Sequence, residues 1–334
     1  MTPAAARASF ASFLESIDRA ARVVVLHDSD ADGVTSGIVL QRTLERLGFT
    51  NAERVIPNRE RDAWNDANRA LVAAREPRAL FVLDLGVRGK AIVENVPACF
   101  IDHHRPAGVP PHAVVISAYT WDPIPNTSLI VYDLCAGLAD VRDLDWIAAI
   151  GVLSDLGERA PFQLLAEVKK RYTMKDLKEA TALINAARRA SEYQPEAAAR
   201  ALLEHDSPRA LVTSEAIAPL RAAREEVNRE MATAKTAAPK FSGNVALVRV
   251  RSRCQVHPLI AQIWRSRLPK YIVIVANDGY LPGRVNFSTR SAAGINLNDF
   301  LAANGLAARG HDQATGGSVS EEEFAALLQR LGFT

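Results

Sequence analysis

Three short apolar runs, each ending in acids or imidazoles, constrain this chain more than any other feature. Val23-Val24-Val25-Leu26 runs into His27-Asp28-Ser29-Asp30-Ala31-Asp32-Gly33, Phe81-Val82-Leu83 into Asp84, and Phe100-Ile101 into Asp102-His103-His104. Runs this short and this uniformly apolar read as strands covered on both faces. They alternate with helical patterns near residues 35–47 and from 128 to about 156; the second and third runs extend over 79–83 and 99–101, and a further strand-like run falls at 113–116. Such alternation predicts an α/β fold, a mainly parallel sheet with helices on both faces.

The remainder divides differently. Residues 163–200 are predicted helical throughout, and a second long helix is expected at about 214–235. Breaker chemistry at 237–244 marks the start of a smaller α/β domain, with strands expected at 245–250, 271–276 and 283–288 and helices at 258–268 and 321–331. The expected layout is a catalytic domain at 1–160, a helical segment and connector at 161–238, and a substrate-binding domain at 239–334. With 334 residues and 48% hydrophobic content, two cores can be filled. The formal net charge of +2 gives no whole-molecule basic field, so any contact with nucleic acid must come from a local patch. The Tyr and Trp residues are not interleaved with basic ones, and no stacking platform is legible. Cys99, Cys135 and Cys254 fit neither a disulfide framework nor a zinc pattern, which points to a reducing cytoplasm. Near the N-terminus Phe10, Phe13, Leu14 and Ile17 recur at helical spacing, as in a packed amphipathic helix, and no membrane partner is expected. Oligomeric state is not legible.

In open α/β sheets, ligands gather outside the carboxyl edge of the strands. Alternation would put Asp28, Asp30 and Asp32 on one side if the strand persists, with Gly33 releasing the turn. Three carboxylates so close require a counter-charge, and hard or borderline divalent cations supply it. The plainer alternative is an Asp-rich turn capping a helix at Thr35. Capping accounts poorly for three strands that deliver acids and histidines to one edge, joined by Asp155 after a helical stretch. The set is too rich for one tetrahedral zinc and suits two metals about 3.5–4 Å apart, a pairing used in phosphoester hydrolysis.

Asp102-His103-His104 and its flanks resemble the signature of the DHH phosphoesterase superfamily, and HDSDADG, VLDLG and GVLSDLGE match its other motifs in order. The resemblance implies two Mn²⁺ ions, with Mg²⁺ the alternative, held by Asp28, Asp30, Asp32, Asp84, His103 and Asp155, Asp84 bridging. It also implies that His104 contacts the scissile phosphate or backs up a ligand, while Asp102 orients a neighbouring histidine. Many members open the first motif with a histidine ligand, so His27 is a further candidate. Strand alternation favours Asp28 and turns His27 the other way.

The stretch from Arg309 through Gly310, His311, Gly316 and Gly317 resembles the glycine-histidine loop of the DHHA1 domain that accompanies DHH domains in nucleases. Arg309 replaces its first glycine and Thr315 stands where alanine is common. By the same resemblance, Ser288 and Arg290 face a substrate backbone, with Arg290 as a phosphate fork. Arg59, in an IPNR segment like that of RecJ-like members, and Arg105 are further phosphate contacts, although each alone reads as a solvated charge. His257 reads as a cap or packing residue. The implied activity is Mn²⁺-dependent hydrolysis of single-stranded DNA or RNA, or of short oligonucleotides, to mononucleotides. A nano-RNase-like enzyme acting on phosphoadenosine phosphate or linear dinucleotides is the nearest alternative, and the shortness of the chain beside full RecJ proteins makes processive work on long DNA doubtful. A catalytically silent nucleic-acid-binding scaffold is the alternative of another class, disfavoured because no expected acid is missing. An inorganic pyrophosphatase is disfavoured by the glycine-histidine stretch.

Overall fold

The computed structural model describes residues 1–306 and 309–333. Two compact units emerge, residues 1–188 with 194–220, and residues 189–193 with 221–334. In the first, α1 (Pro3–Glu15), β1 (Val23–His27), α2 (Ala31–Arg46), β2 (Ala52–Val55), α3 (Asp66–Ala73), β3 (Ala79–Leu83), β4 (Ala98–Asp102) and β5 (Ala113–Ser117) precede α4 (Thr127–Ala136) and α5 (Asp145–Asp155). The five strands pair in the order β2-β1-β3-β4-β5, all parallel.

Alternation along the strands fills two cores. Val23, Val25, Phe81, Leu83, Cys99 and Ile101 pack against α1, α2, α4 and α5, while Val24, Leu26, Leu80, Val82 and Phe100 meet Trp64, Val72, Val87 and Ile92. Phe81 anchors the first core, with Phe10 and Phe13 edge-on at ring centroid separations of 6.1 and 5.3 Å. Truncating such a buried ring costs roughly 3–5 kcal/mol. The chain leaves β1 toward β2 on one side and returns to β3 on the other. In open α/β sheets it is at such a reversal, beside the carboxyl ends of the strands, here β1 and β3, that ligands bind.

The expected continuous helix at 163–200 is three helices: α6 (Gln163–Val168), α7 (Met174–Arg189) and α8 (Pro195–Glu204), followed by α9 (Pro208–Thr213). They do not form a separate connector. Leu165, Val168, Leu177, Leu183, Ile184, Leu202 and Leu211 join the core of the first unit, since their apolar stripes are buried there. The helix α10 (Ala218–Ala234) begins in the first unit and lies mostly in the second.

The second unit holds β6 (Lys240–Ser242), β7 (Val245–Val250), α11 (His257–Arg267), β8 (Ile272–Asn277), β9 (Val285–Ser291), α12 (Leu297–Ala303), β10 (Arg309–His311), β11 (Ala314–Val319) and α13 (Glu321–Arg330). Its sheet runs β10-β11-β9-β8-β7-β6, parallel only between β7 and β8. Residues 189–193 are tied in by Gln255 N, which donates to Arg189 O at 2.7 Å, and by Ser191 N, which donates to Glu226 at 3.2 Å. No helix among the described residues is long and apolar enough to cross a membrane.

Candidate metal centre

The three aspartates of the first motif do not converge by strand alternation, as the sequence suggested. Strand β1 ends at His27, Asp30 is the N-cap of α2 with its Oδ1 accepting from Gly33 N at 3.0 Å, and Asp32 lies in the first helical turn. Capping chemistry and ligand presentation thus coexist at one turn. Gly33 does not release that turn. A Cβ there would fall 2.4 Å from Asp28 O, so glycine lets the helix start approach the strand end.

Asp84 follows β3 in a left-handed backbone conformation (φ 62°), and its Oδ1 accepts from Thr127 Oγ1 at 3.0 Å. Asp102, the last residue of β4, accepts from Gly86 N at 2.6 Å, from His104 N at 2.7 Å and from the His104 ring through Nδ1 at 2.7 Å. His103 Nε2 stands 3.4 Å from Asp84, 3.6 Å from Asp155 and 3.8 Å from Asp32. Among the described residues, the groups whose potential ligand atoms lie within 4.8 Å of one another include Asp28-Asp30-Asp84, Asp32-His103-Asp155 and Asp84-Asp102-His104. Asp84 belongs to the first and touches the second through His103.

Residues with no obvious sequence signal of their own complete this arrangement. Asp32 accepts from Asn126 Nδ2 at 2.7 Å, Thr127 N at 3.0 Å and Ser128 N at 2.6 Å, which seats it on the N-terminus of α4, where the helix dipole favours an anion. Asn-Thr-Ser ahead of an apolar run is a legible cap, but nothing in it names Asp32 as partner. Asn185 of α7 accepts from Ala31 N at 3.3 Å and donates to Ser154 at 3.0 Å, linking both ends of the acid set. Arg61, rather than Arg59, forks onto Asp28, and Arg188 reaches Asp30. Arg59 is half-buried and Arg105 exposed.

Electrostatics fit a cation. Burial and neighbouring acids push Asp32 and Asp84 well above the ordinary carboxylate range, and desolvation and the Asp30 carboxylate raise Asp155. Asp102 behaves oppositely: against its burial, the His104 ring holds it below that range. Clustered oxygens and one imidazole, with Asp32 and Asp84 buried and Asp155 reaching solvent, match the donor set of hard and borderline divalent ions.

Residues 22–155 match the family model described as the N-terminal domain of the DHH family, and nearly every acid and imidazole of the cluster lies inside that span. The match assigns this segment to the DHH family, and the likenesses that follow support membership of the DHH superfamily. Over 102 residues it is 30% identical to the single-stranded-DNA-specific exonuclease RecJ of Escherichia coli, a match covering 28% of this chain and 18% of that protein. Its fold resembles RecJ from Thermus thermophilus in complex with Mn²⁺, with TM-score 0.71 and 20% identity over 98% of this chain and 54% of that one. A manganese-bound exonuclease RecJ matches with TM-score 0.61 and 22% identity, covering 98% of this chain and 93% of the other. The chain therefore spans about half the length of the Thermus RecJ chain.

Within this DHH domain, His27 stands apart from the groups that can hold a metal. Its ring lies against Gly37 of α2, where a Cβ would come within 2.2 Å of it. Nδ1 contacts Asp28 O at 2.7 Å, Nε2 has no hydrogen-bond partner among the described residues, and burial lowers its pKa to about 3. Its parity along β1 matches Val23 and Val25, so it faces the helices, which removes it from the geometric ligand set.

The second-unit stretch expected as a phosphate loop is a hairpin, β10 and β11, and the side chain of Arg309 lies outside the described residues. Gly310 (φ 142°) and Gly316 sit where a Cβ would meet the Ala314 and Phe287 carbonyl oxygens at 2.4 Å, so their first role is close strand packing. Gly317 pairs with Phe287, and His311, half-buried, with Ala314. Thr315 is no passive replacement for alanine: its hydroxyl donates to Asn298 Oδ1 at 2.8 Å, and Asn298 Nδ2 donates to Gly310 O at 3.1 Å. Ser288 and Arg290 share one face of β9, where Arg290 Nη1 donates to Ser288 Oγ at 2.8 Å and to the Thr289 and Thr315 carbonyls at 3.0 and 3.3 Å. His257 opens α11 as a buried packing residue, 6.0 Å from the Tyr280 ring.

Proposed function

We propose that the chain is a divalent-metal-dependent phosphodiesterase, Mn²⁺ the preferred ion, that hydrolyses single-stranded nucleic acid or short oligonucleotides to mononucleotides. One observation carries this reading: acids and imidazoles from four distant segments meet around Asp84, with Asp32 and Asp84 buried. A pair of such ions would be held by Asp28, Asp30 and Asp84 on one side and by Asp32, Asp84, His103 and Asp155 on the other. When bound, it would activate water and offset charge on the reacting phosphate.

The remaining work falls to the protein. His103, with its side chain 3% exposed, suits a ligand, whereas His104, at 30%, suits contact with substrate. Asp102 fixes the His104 ring through Nδ1, which sets the orientation in which the ring would meet a phosphate oxygen or the departing one. Arg290 commits only Nη1 among the described contacts, so its Nε–Nη2 edge can fork a phosphate. Ser288 would add a hydroxyl to that grip.

Turnover of a labelled pentanucleotide, a long single strand, a cyclic dinucleotide and pyrophosphate, each with Mn²⁺ and with EDTA, tests the proposal. Mn²⁺-dependent, EDTA-abolished release of mononucleotides that disappears in folded Asp84→Ala is the expected result. Full turnover by Asp84→Ala, or turnover of pyrophosphate alone, would contradict it.

A further inference from the structure

On the helix-facing side of the first sheet, a buried imidazole and a guanidinium each leave one nitrogen unused. His27 is fully buried at the end of β1, and its Nδ1 lies 2.7 Å from Asp28 O. A carbonyl oxygen only accepts, so Nδ1 carries the ring proton and Nε2 keeps a lone pair. That lone pair has no hydrogen-bond partner among the described residues. Arg54 of β2 stands beside Val25 in the parallel register, and Val25 and His27 point the same way, so Arg54 shares their face of the sheet. Of the charges that act on the His27 ring, that of Arg54 weighs most, ahead of Asp30. Arg54 Nε donates to Gln41 Oε1 at 2.5 Å, whereas its Nη1 is enclosed and, like His27 Nε2, unpartnered among the described residues. Burial lowers the Arg54 pKa, and the acids that oppose this, Glu196 and Glu45, form no ion pair with it among the described residues. Helix α2 matches the two side chains in turn: Gly37 leaves room for the His27 ring, and Gln41, about one turn on, receives Arg54.

A donor without an acceptor and an acceptor without a donor, enclosed on one face, each cost stability if left so. We propose that Arg54 is a positioning residue for the metal centre: its Nη1–H serves the His27 Nε2 lone pair, directly or across one water, and His27 in turn holds the Asp28 carbonyl. This role rests on the metal-centre reading above and deepens it. Asp28 is the first acid after β1, and its carbonyl oxygen is the atom that a Cβ at Gly33 would strike. An N–H directed at Nε2 polarises the ring and strengthens the bond that Nδ1–H makes on its far side. Glu45 accepts from Gln41 Nε2 at 2.9 Å, so the chain Glu45-Gln41-Arg54-His27 runs from the middle of α2 to the peptide that aims Asp28. None of these four side chains has to touch a metal to matter, because ligand groups depend on the partners that orient them.

Proton–nitrogen correlation spectra of the metal-free full chain carrying isotope-labelled histidine, with His27→Gln to assign the signals, test this without turnover. Wild type should show His27 protonated at Nδ1 alone, with Nε2 at the position of a hydrogen-bonded acceptor. In Arg54→Met the Nε2 signal should move to that of an unbonded acceptor, and calorimetric titration should find Mn²⁺ bound about tenfold more weakly. Arg54→Lys keeps a donor but loses the Gln41 bond; it should fall between the two, and it serves if the methionine variant does not fold. A ring protonated at Nε2 alone, or at both nitrogens as beside a bound anion, would overturn the proposal. So would an Nε2 signal or an Mn²⁺ affinity left unchanged by both variants. These outcomes leave the metal centre standing, whereas failure of folded wild type to bind Mn²⁺ would overturn that reading and the positioning role with it.

Discussion

At the scale of single residues, the acids of the centre differ in whether a partner is already in place. Asp102 is bonded to the His104 ring and to two backbone N–H groups. Asp102→Asn should therefore lower kcat by about 10–100-fold, the usual cost of losing a partner that orients an active imidazole. Mn²⁺ binding should be retained, since the ligands are untouched; calorimetry beside kinetics separates the two effects. Asp32 and Asp84 behave in the opposite sense. Their folded-state pKa values are raised, so between the unfolded value near 4 and the folded value the native state binds more protons than the unfolded one. In metal-free protein their contribution to stability is fully present below the unfolded pKa and is lost as pH rises toward the folded value. A divalent ion binds their ionised forms, so added Mn²⁺ should raise Tm more at pH 8 than at pH 5. A thermal shift of equal size at both pH values would exclude these acids as ligands.

The secondary-structure elements explain how such different groups meet. Each acid lies at or beyond a strand end or in a helix turn, and two glycines permit the close approaches. Gly33 admits the Asp28 backbone, and Gly151 of α5 faces Ser128 and Thr35, where a Cβ would fall 2.5 Å from each side chain. Gly33→Ala should cost about 1–3 kcal/mol, the range of overpacking, and weaken Mn²⁺ binding, because the displaced helix carries Asp32. Chemical denaturation together with a metal titration checks both. Legibility in the sequence is uneven at this scale. Strands β1, β3 and β4 are legible because both their faces are buried and their residues are apolar almost throughout. Strand β2 leaves no pattern to see, because it is an edge strand in which Val55 alone is fully buried. Aspartates at alternate positions mimic a strand and hide the true start of α2, whose cap is Asp30. The break before α8 has a signal, Pro195 at its first position, that the Ala-rich composition around it masks. Arg188 has none: it is one cation in a helix, and only the fold brings it to Asp30.

For the whole molecule, the four motifs pick out acids that the fold brings together, because each is attached to a strand or helix end whose position the α/β pattern dictates. Domain boundaries are less legible, since the helices from α6 to α9 bury their stripes in the first unit although their sequence reads as a linker. With a net charge of +2 there is no whole-molecule field to draw in a nucleic acid, so the proposed grip must rest on individual side chains. Arg290→Ala should raise KM for an oligonucleotide by about tenfold, within the 1–3 kcal/mol expected of a charge-assisted bond, and leave hydrolysis of bis(p-nitrophenyl) phosphate unchanged. Equal losses on both substrates would assign Arg290 to folding instead. The most direct test of the account is anomalous diffraction at the manganese edge from crystals of the full chain grown with Mn²⁺. Two peaks about 3.5–4 Å apart on either side of the Asp84 carboxylate are expected. Manganese bound elsewhere, with none at Asp84, would contradict it.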